Sequence, residues 1–203
     1  FPKSISLFLT DYLEIFKHYV PFEWNPLEID DTEIPASWFS VLNSLFIIIF
    51  APIFSMLWAS KFNPSGPLKF TIGLTLLGLG FGFLAYGSIS IPYGAKTASV
   101  SIFWLVFAYL FHTLGELCVS PVGLSYVSKL APFRLVGLMF GFWLLSSFFA
   151  NLIGGFTGSY IDKISLKVGL TGFFLIFTLV PILVGFIIFL FRNNLIRRMH
   201  GYY

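Results

Sequence analysis

Long stretches without charge constrain this chain more than any other feature. Residues 34–60, 70–95, 135–161 and 168–191 contain no Lys, Arg, Asp or Glu, and 97–128 contains a single charge, Glu116. A helix crosses the hydrocarbon core of a bilayer with about 20 mostly apolar residues, so each stretch is long enough. In lipid the backbone must satisfy its own polar groups, which leaves helices or closed barrels. Barrel strands alternate apolar and polar residues over ~10 positions, and these stretches do not. The expected fold is an all-α polytopic transmembrane bundle with spans at about 35–60, 68–91, 98–128, 134–161 and 169–191. Composition agrees: 57% of residues are hydrophobic and 10% charged, against ~25% charged in soluble domains. Disorder is excluded by the same numbers. The small, scattered excess of +3 argues against a nucleic-acid partner. One cysteine, Cys118, excludes an internal disulfide and a cysteine-based zinc site.

Residues 1–33 differ from the rest. They carry Asp11, Glu14, Glu23, Glu28, Asp30, Asp31 and Glu33, seven of the nine acidic residues. Helical spacing of Ile5, Phe8, Leu9, Tyr12, Leu13 and Phe16 predicts a helix over 4–20. Pro21 and Pro26 then predict an irregular acidic loop over 21–33. Lys61, Lys69, Lys129, Arg134, Arg192, Arg197 and Arg198 fall on one side of the bundle, and Lys96, Asp162, Lys163 and Lys167 on the other. The positive-inside rule puts the first set in the cytoplasm. The C-terminus and a basic tail over 192–203 are then cytoplasmic, and the acidic loop is extracytoplasmic. Residues 1–20 become the outer end of an earlier, truncated span, ahead of a five-span bundle over 34–191. Glycines at 73, 78, 80, 82 and 87, the pair Gly137 and Gly141, and the pair Gly154 and Gly158 mark faces where helix backbones can approach closely.

Glu116 is the principal candidate for chemistry. A charge at the bilayer centre costs about 2.5–3.5 kcal/mol on insertion scales, and such groups line substrate or ion pathways. Tyr109, His112, Thr113, Glu116 and Ser120 recur at helical spacing, a polar stripe that predicts a wet cavity. Low dielectric disfavours a charged carboxyl and a bound ammonium favours it, so one residue can link proton and substrate occupancy. Pro121 removes a backbone bond one residue past Ser120 and predicts a kink, as does Pro52 in the first full span. Asn43 can donate to or accept from a polar solute, or tie two helices together. Trp143, with Ser146, Ser147 and Asn151, forms a second polar and aromatic set; the indole can wall a pocket or simply pack. Trp38 and Trp58 read as interfacial anchors. His112 has no second His at ligand spacing, so no metal site is expected. Nucleotide, serine-hydrolase and zinc-protease motifs are absent from the sequence, so the expectation is a gradient-driven process with no cofactor, not an enzyme.

The stretch Gly115-Glu116-Leu117-Cys118-Val119-Ser120-Pro121-Val122-Gly123-Leu124-Ser125, followed by Lys129-Leu130-Ala131-Pro132, resembles the proton-dependent oligopeptide transporter family of the major facilitator superfamily. Gly137-Leu138-Met139, Gly141-Phe142-Trp143-Leu144-Leu145-Ser146, Asn151, Ile34-Pro35-Ala36-Ser37-Trp38-Phe39, Asn43 and Ala51-Pro52 with Trp58 are similar as well. The resemblance implies twelve core helices in two six-helix halves. This chain would be the C-terminal half: five full spans plus the outer end of a sixth, with the N-terminal six-helix half missing. It also implies that Glu116 meets the amino end of a peptide and couples protons, and that Asn43, Ser120 and Trp143 add substrate contacts. The chain departs from the family in reading Asn43-Ser44 where Asn-Pro is usual. The implied activity is symport of di- and tripeptides with protons across the cytoplasmic (inner) membrane. Two alternatives stand beside it: a transporter of the same fold with another small solute, and a non-transporting partial membrane protein.

Overall fold

In a computed structural model the structure describes residues 36–61, 63–92 and 100–199, with the side chains of 36–40 and 162 outside that description. The expected helix over 4–20 and the acidic loop over 21–33 lie outside the described residues. Five long helices follow one another: α1 (Ala36–Ala59), α2 (Gly66–Gly87), α3 (Phe103–Leu130), α4 (Val136–Ser159) and α5 (Ile161–Arg198). A short 3-10 turn, Phe133–Leu135, leads into α4. All five are long and apolar enough to cross a membrane, and no strand occurs among the described residues.

Local chemistry sets the helix ends. Pro67 stands in the first turn of α2, where its missing N–H removes nothing the helix could use. α2 ends at Gly87. There the Ser88 N–H returns to the Leu84 carbonyl, and the Ser88 hydroxyl donates to Ala85 O at 2.8 Å. Ala131, which precedes Pro132, is extended (φ −74°, ψ 136°), as steric conflict with a following proline requires, and α3 stops there. α3 is continuous across Pro121 and α1 across Pro52. A break in helical dihedrals falls at Gly169, with φ 77° and ψ 160°, a conformation that a side chain would oppose. The chain therefore bends there between 161–168 and 170–198. The helix also continues past 191 to Arg198, so the basic tail begins as helix. Hydropathy ends at Phe191, but no helix breaker follows, and Arg197 and Arg198 suit a helix C-terminus.

The packed core lies where α2 meets α3 and α5. A Cβ on Gly115 would stand 2.7 Å from the Gly73 carbonyl oxygen, and one on Gly73 would stand 2.9 Å from that of Gly115. The two backbones cross at this point, and only glycine permits it. On the other side, a Cβ on Gly78 would stand 2.7 Å from Thr178 O, and the Thr71 hydroxyl lies 3.2 Å from Gly185 O. Phe81 bridges both contacts, with ring centroids 4.5 Å from His112 and 5.4 Å from Phe177. Ala108, Leu117, Cys118, Val122 and Phe173 are buried around this junction. α4 has no buried residue, and nothing among the described residues comes within 4 Å of a Cβ on Gly137, Gly141, Gly154 or Gly158. Among the described residues the glycines of α2 thus lie at close helix contacts and those of α4 do not.

Candidate functional site

α3 is the spine of the site. Ala108, His112, Gly115 and Cys118 stand against the glycines of α2. At 3.6 residues per turn, Tyr109, Glu116 and Ser120 fall on a different side. They occupy an arc of about 80° bounded by Thr113 at one edge and Gly123 at the other. α1 attaches at the first edge: the Thr113 hydroxyl donates to Asn43 Oδ1 at 2.5 Å. α4 attaches at the second, where the six-membered ring of Trp143 occupies the space a Cβ on Gly123 would need. Between them Glu116 is exposed and Ser120 half-buried. A carboxylate midway along a membrane-spanning helix thus sits on an open face, flanked by an amide from one helix and an indole from another. This arrangement can accept hydrogen bonds from a cation and wall the group attached to it.

The sequence-derived residues do not all stay together. The polar stripe divides. His112 turns into the α2 contact against Gly80 and Phe81. Its Nε2 is buried there, and although the Leu77 backbone lies close by, no hydrogen bond of good geometry forms. Thr113 is fully buried, at 0% exposure. It also lies 2.8 Å from the Tyr109 carbonyl, the local contact that a helical Thr makes readily. The stripe spans about 100° of the helix, and α2 covers one edge of it; spacing alone does not say which edge. Asn43 makes the interhelical bond that sequence left as one of its two readings. The second set turns inward on its own helix: Ser146 donates to Trp143 O at 2.7 Å and Asn151 to Ser147 O at 2.8 Å. Of that set, Trp143 reaches α3 at Gly123. Its other side lines an open groove of about 500 Å³ with Tyr126, Leu130, Pro132, Met139 and Phe142.

Thr113 is the residue that sequence reasoning undervalued. Its place in the stripe was visible, but its partner lies 70 positions away. Trp58, read as an anchor, also has a specific neighbour. The Lys69 ammonium lies 4.7 Å from the indole centroid and donates to Asn63 Oδ1 at 2.6 Å. This joins the end of α1 to the start of α2.

Comparison with known proteins adds to this geometry. The sequence profile of the POT family matches residues 26–190. Peptide transporter YePEPT of Yersinia enterocolitica is 37% identical over 79% of this chain and 30% of its own length. Dipeptide and tripeptide permease A of Escherichia coli is 39% identical over 58% of this chain and 23% of its own. A crystal structure of a mutant peptide transporter POT superposes with a TM-score of 0.69 at 32% identity, covering 85% of this chain and 33% of that one. The chain therefore spans a third or less of the length of these proteins.

Proposed function

This chain belongs to the POT family, and from that premise we propose that it supplies the C-terminal helices of a symporter carrying di- and tripeptides with protons. Glu116 accepts hydrogen bonds from the peptide ammonium and exchanges that cation for a proton during the cycle. Asn43 and Ser120 add hydrogen bonds, and Trp143 shapes the space for a side chain. The energy comes from the proton gradient, with no cofactor. A second six-helix half closes the other side of the site, because alternating access needs two bundles that rock about a midplane site. Charge placement orients the C-terminus toward the cytoplasm, in the inner membrane.

The observation that carries the reading is Glu116, exposed midway along α3 while the α2 side of the same helix is packed. Among the described residues this exposed carboxylate is not part of the packed core, so its insertion cost calls for a ligand. The names of the peptide-transporting relatives support peptides as that ligand. The test is uptake of labelled dialanine into proteoliposomes under an imposed proton gradient. Glu116→Gln should reduce gradient-driven uptake at least tenfold and leave helix content unchanged. Unaltered uptake with unaltered pH dependence in that variant overturns the proposal. Competition by other solutes but not by dialanine would point to a transporter of the same fold with another substrate.

A further inference from the structure

The corner where α1 ends, α2 begins and α3 ends holds cations without counter-ions. The Lys69 ammonium is half-buried there, 4.7 Å from the centre of the Trp58 ring and 2.6 Å from Asn63 Oδ1. Both partners are neutral, so they steady the charge without cancelling it. An ammonium has three N–H donors, and Asn63 takes one. Tyr126 draws α3 against this corner: its hydroxyl meets the Gly66 backbone, in the space a Cβ on Gly66 would need. One turn further along α3, Lys129 is exposed and close enough to act on Lys69 by charge. Among the described residues, the groups that act on Lys69 in this way are Cys118 and Lys129, not a carboxylate. The sequence between 34 and 161 contains one acidic residue, Glu116. It stands about 20 Å from Lys129 along α3 and belongs to the open face.

We propose that Lys69 and Lys129 clamp the phosphate of an anionic phospholipid at this corner. Depth favours lipid over a free anion. Lys69 stands in the first turn of membrane-spanning α2 and Lys129 in the last turn of α3, so both lie at the rim of the hydrocarbon, where headgroup phosphates are. Basic pockets between transmembrane helices hold anionic headgroups in this way. Trp58 suits the same layer. Leu130 and Phe133, close to Lys129 in the chain, are 46% and 96% exposed, apolar surface that suits lipid and not water. Charge then selects among lipids. Two neighbouring ammonium groups attract a phosphodiester and repel the cation of a choline or ethanolamine headgroup. A headgroup without a cation, such as that of phosphatidylglycerol, is therefore preferred. The lipid phosphate supplies the negative charge that the chain itself does not place here, and it bridges the ends of α2 and α3.

The test reads lipid contact at Trp58 in the transporter containing this chain, reconstituted in phosphatidylcholine vesicles. Brominated phosphatidylglycerol or brominated phosphatidylcholine is added as the minor lipid, and each quenches tryptophan emission on contact. The part of the emission lost in Trp58→Phe reports this corner. Phosphatidylglycerol should quench that part with about a twentyfold preference over phosphatidylcholine, about fivefold from each of the two cations. Lys69→Gln and Lys129→Gln should each lower the preference about fivefold, and Lys69→Arg should keep it within about twofold. Arg197→Gln, which removes the same charge from the far end of α5, should leave it unchanged. Should Lys69→Gln fail to accumulate in the membrane, Lys129→Gln, whose side chain is exposed, decides by the same measure. Equal quenching by the two lipids in the unaltered protein overturns the clamp. So does an equal loss of preference in Arg197→Gln and in the lysine variants, which would reduce the effect to general surface charge. Inorganic phosphate should relieve the quenching no more than chloride of the same ionic strength; greater relief would make a free anion the occupant and overturn the lipid. Peptide uptake plays no part in this readout, so its outcome is independent of the ligand of Glu116.

Discussion

The α2 junction with α3 and α5 and the open face of α3 lie on one helix and are built on opposite principles. At the junction, glycine lets backbones meet within contact distance, and the side chains around it are Ala, Cys, Val and Phe. On the open face, α1 reaches α3 through Asn43 and Thr113, and α4 reaches it through Trp143 and Gly123. Lipid supplies no hydrophobic force between helices, so association depends on close packing and hydrogen bonds. The junction has dense packing and forms a rigid support. The open face has little, which leaves Glu116 uncovered and the flanking helices free to serve a ligand or a further bundle.

Substitutions can break this contrast or sharpen it. Gly115→Leu should have the largest effect. Its Cβ alone meets the Gly73 backbone at 2.7 Å, and overpacking against backbone costs about 3 kcal/mol or more. Thermal unfolding in detergent should show a large drop, and an unchanged midpoint would mean that α2 and α3 do not cross there. Gly123→Ala should come next. The new methyl must displace the Trp143 ring, at about 1–2 kcal/mol, with a shift in tryptophan emission and an altered preference among dipeptide side chains. A spectrum and a preference identical to those of the unaltered protein would remove Trp143 from that contact. His112→Phe should be small and of opposite sign. It removes a buried nitrogen without a hydrogen bond, so stability should hold or rise by up to about 1 kcal/mol. A loss of more than that would show that the imidazole has a partner. Gly141→Ala should be smallest, within about 0.5 kcal/mol, because nothing among the described residues lies within 4 Å of the new methyl. A measured loss in the assembled transporter would reveal a neighbour that closes on α4.

The spans were legible because bilayer crossing depends on a local sum of hydropathy. The run at 34–60 became Ala36–Ala59, and the run at 135–161 became Val136–Ser159. The last helix outran its apolar stretch because helical hydrogen bonding does not require apolar side chains; Asn193, Asn194 and Arg197 continue it. Glu116 was legible as the one charge in its stretch. Ser120 shares its side of α3, but His112 does not, because the angle between two positions on a helix is fixed by spacing while the direction of each toward its neighbours is not. The glycines make the same point: Gly73 and Gly141 read alike as small residues in lipid, yet one touches a backbone and the other touches nothing described.

The amino-acid sequence by itself determined that this chain spans a membrane with helices and places one carboxylate within it, because both follow from the energy of moving residues into hydrocarbon. Tertiary structure decided which side of α3 is packed, which glycines matter and that Thr113 reaches Asn43. Those depend on contacts between residues far apart in the chain, which local hydropathy and periodicity do not encode.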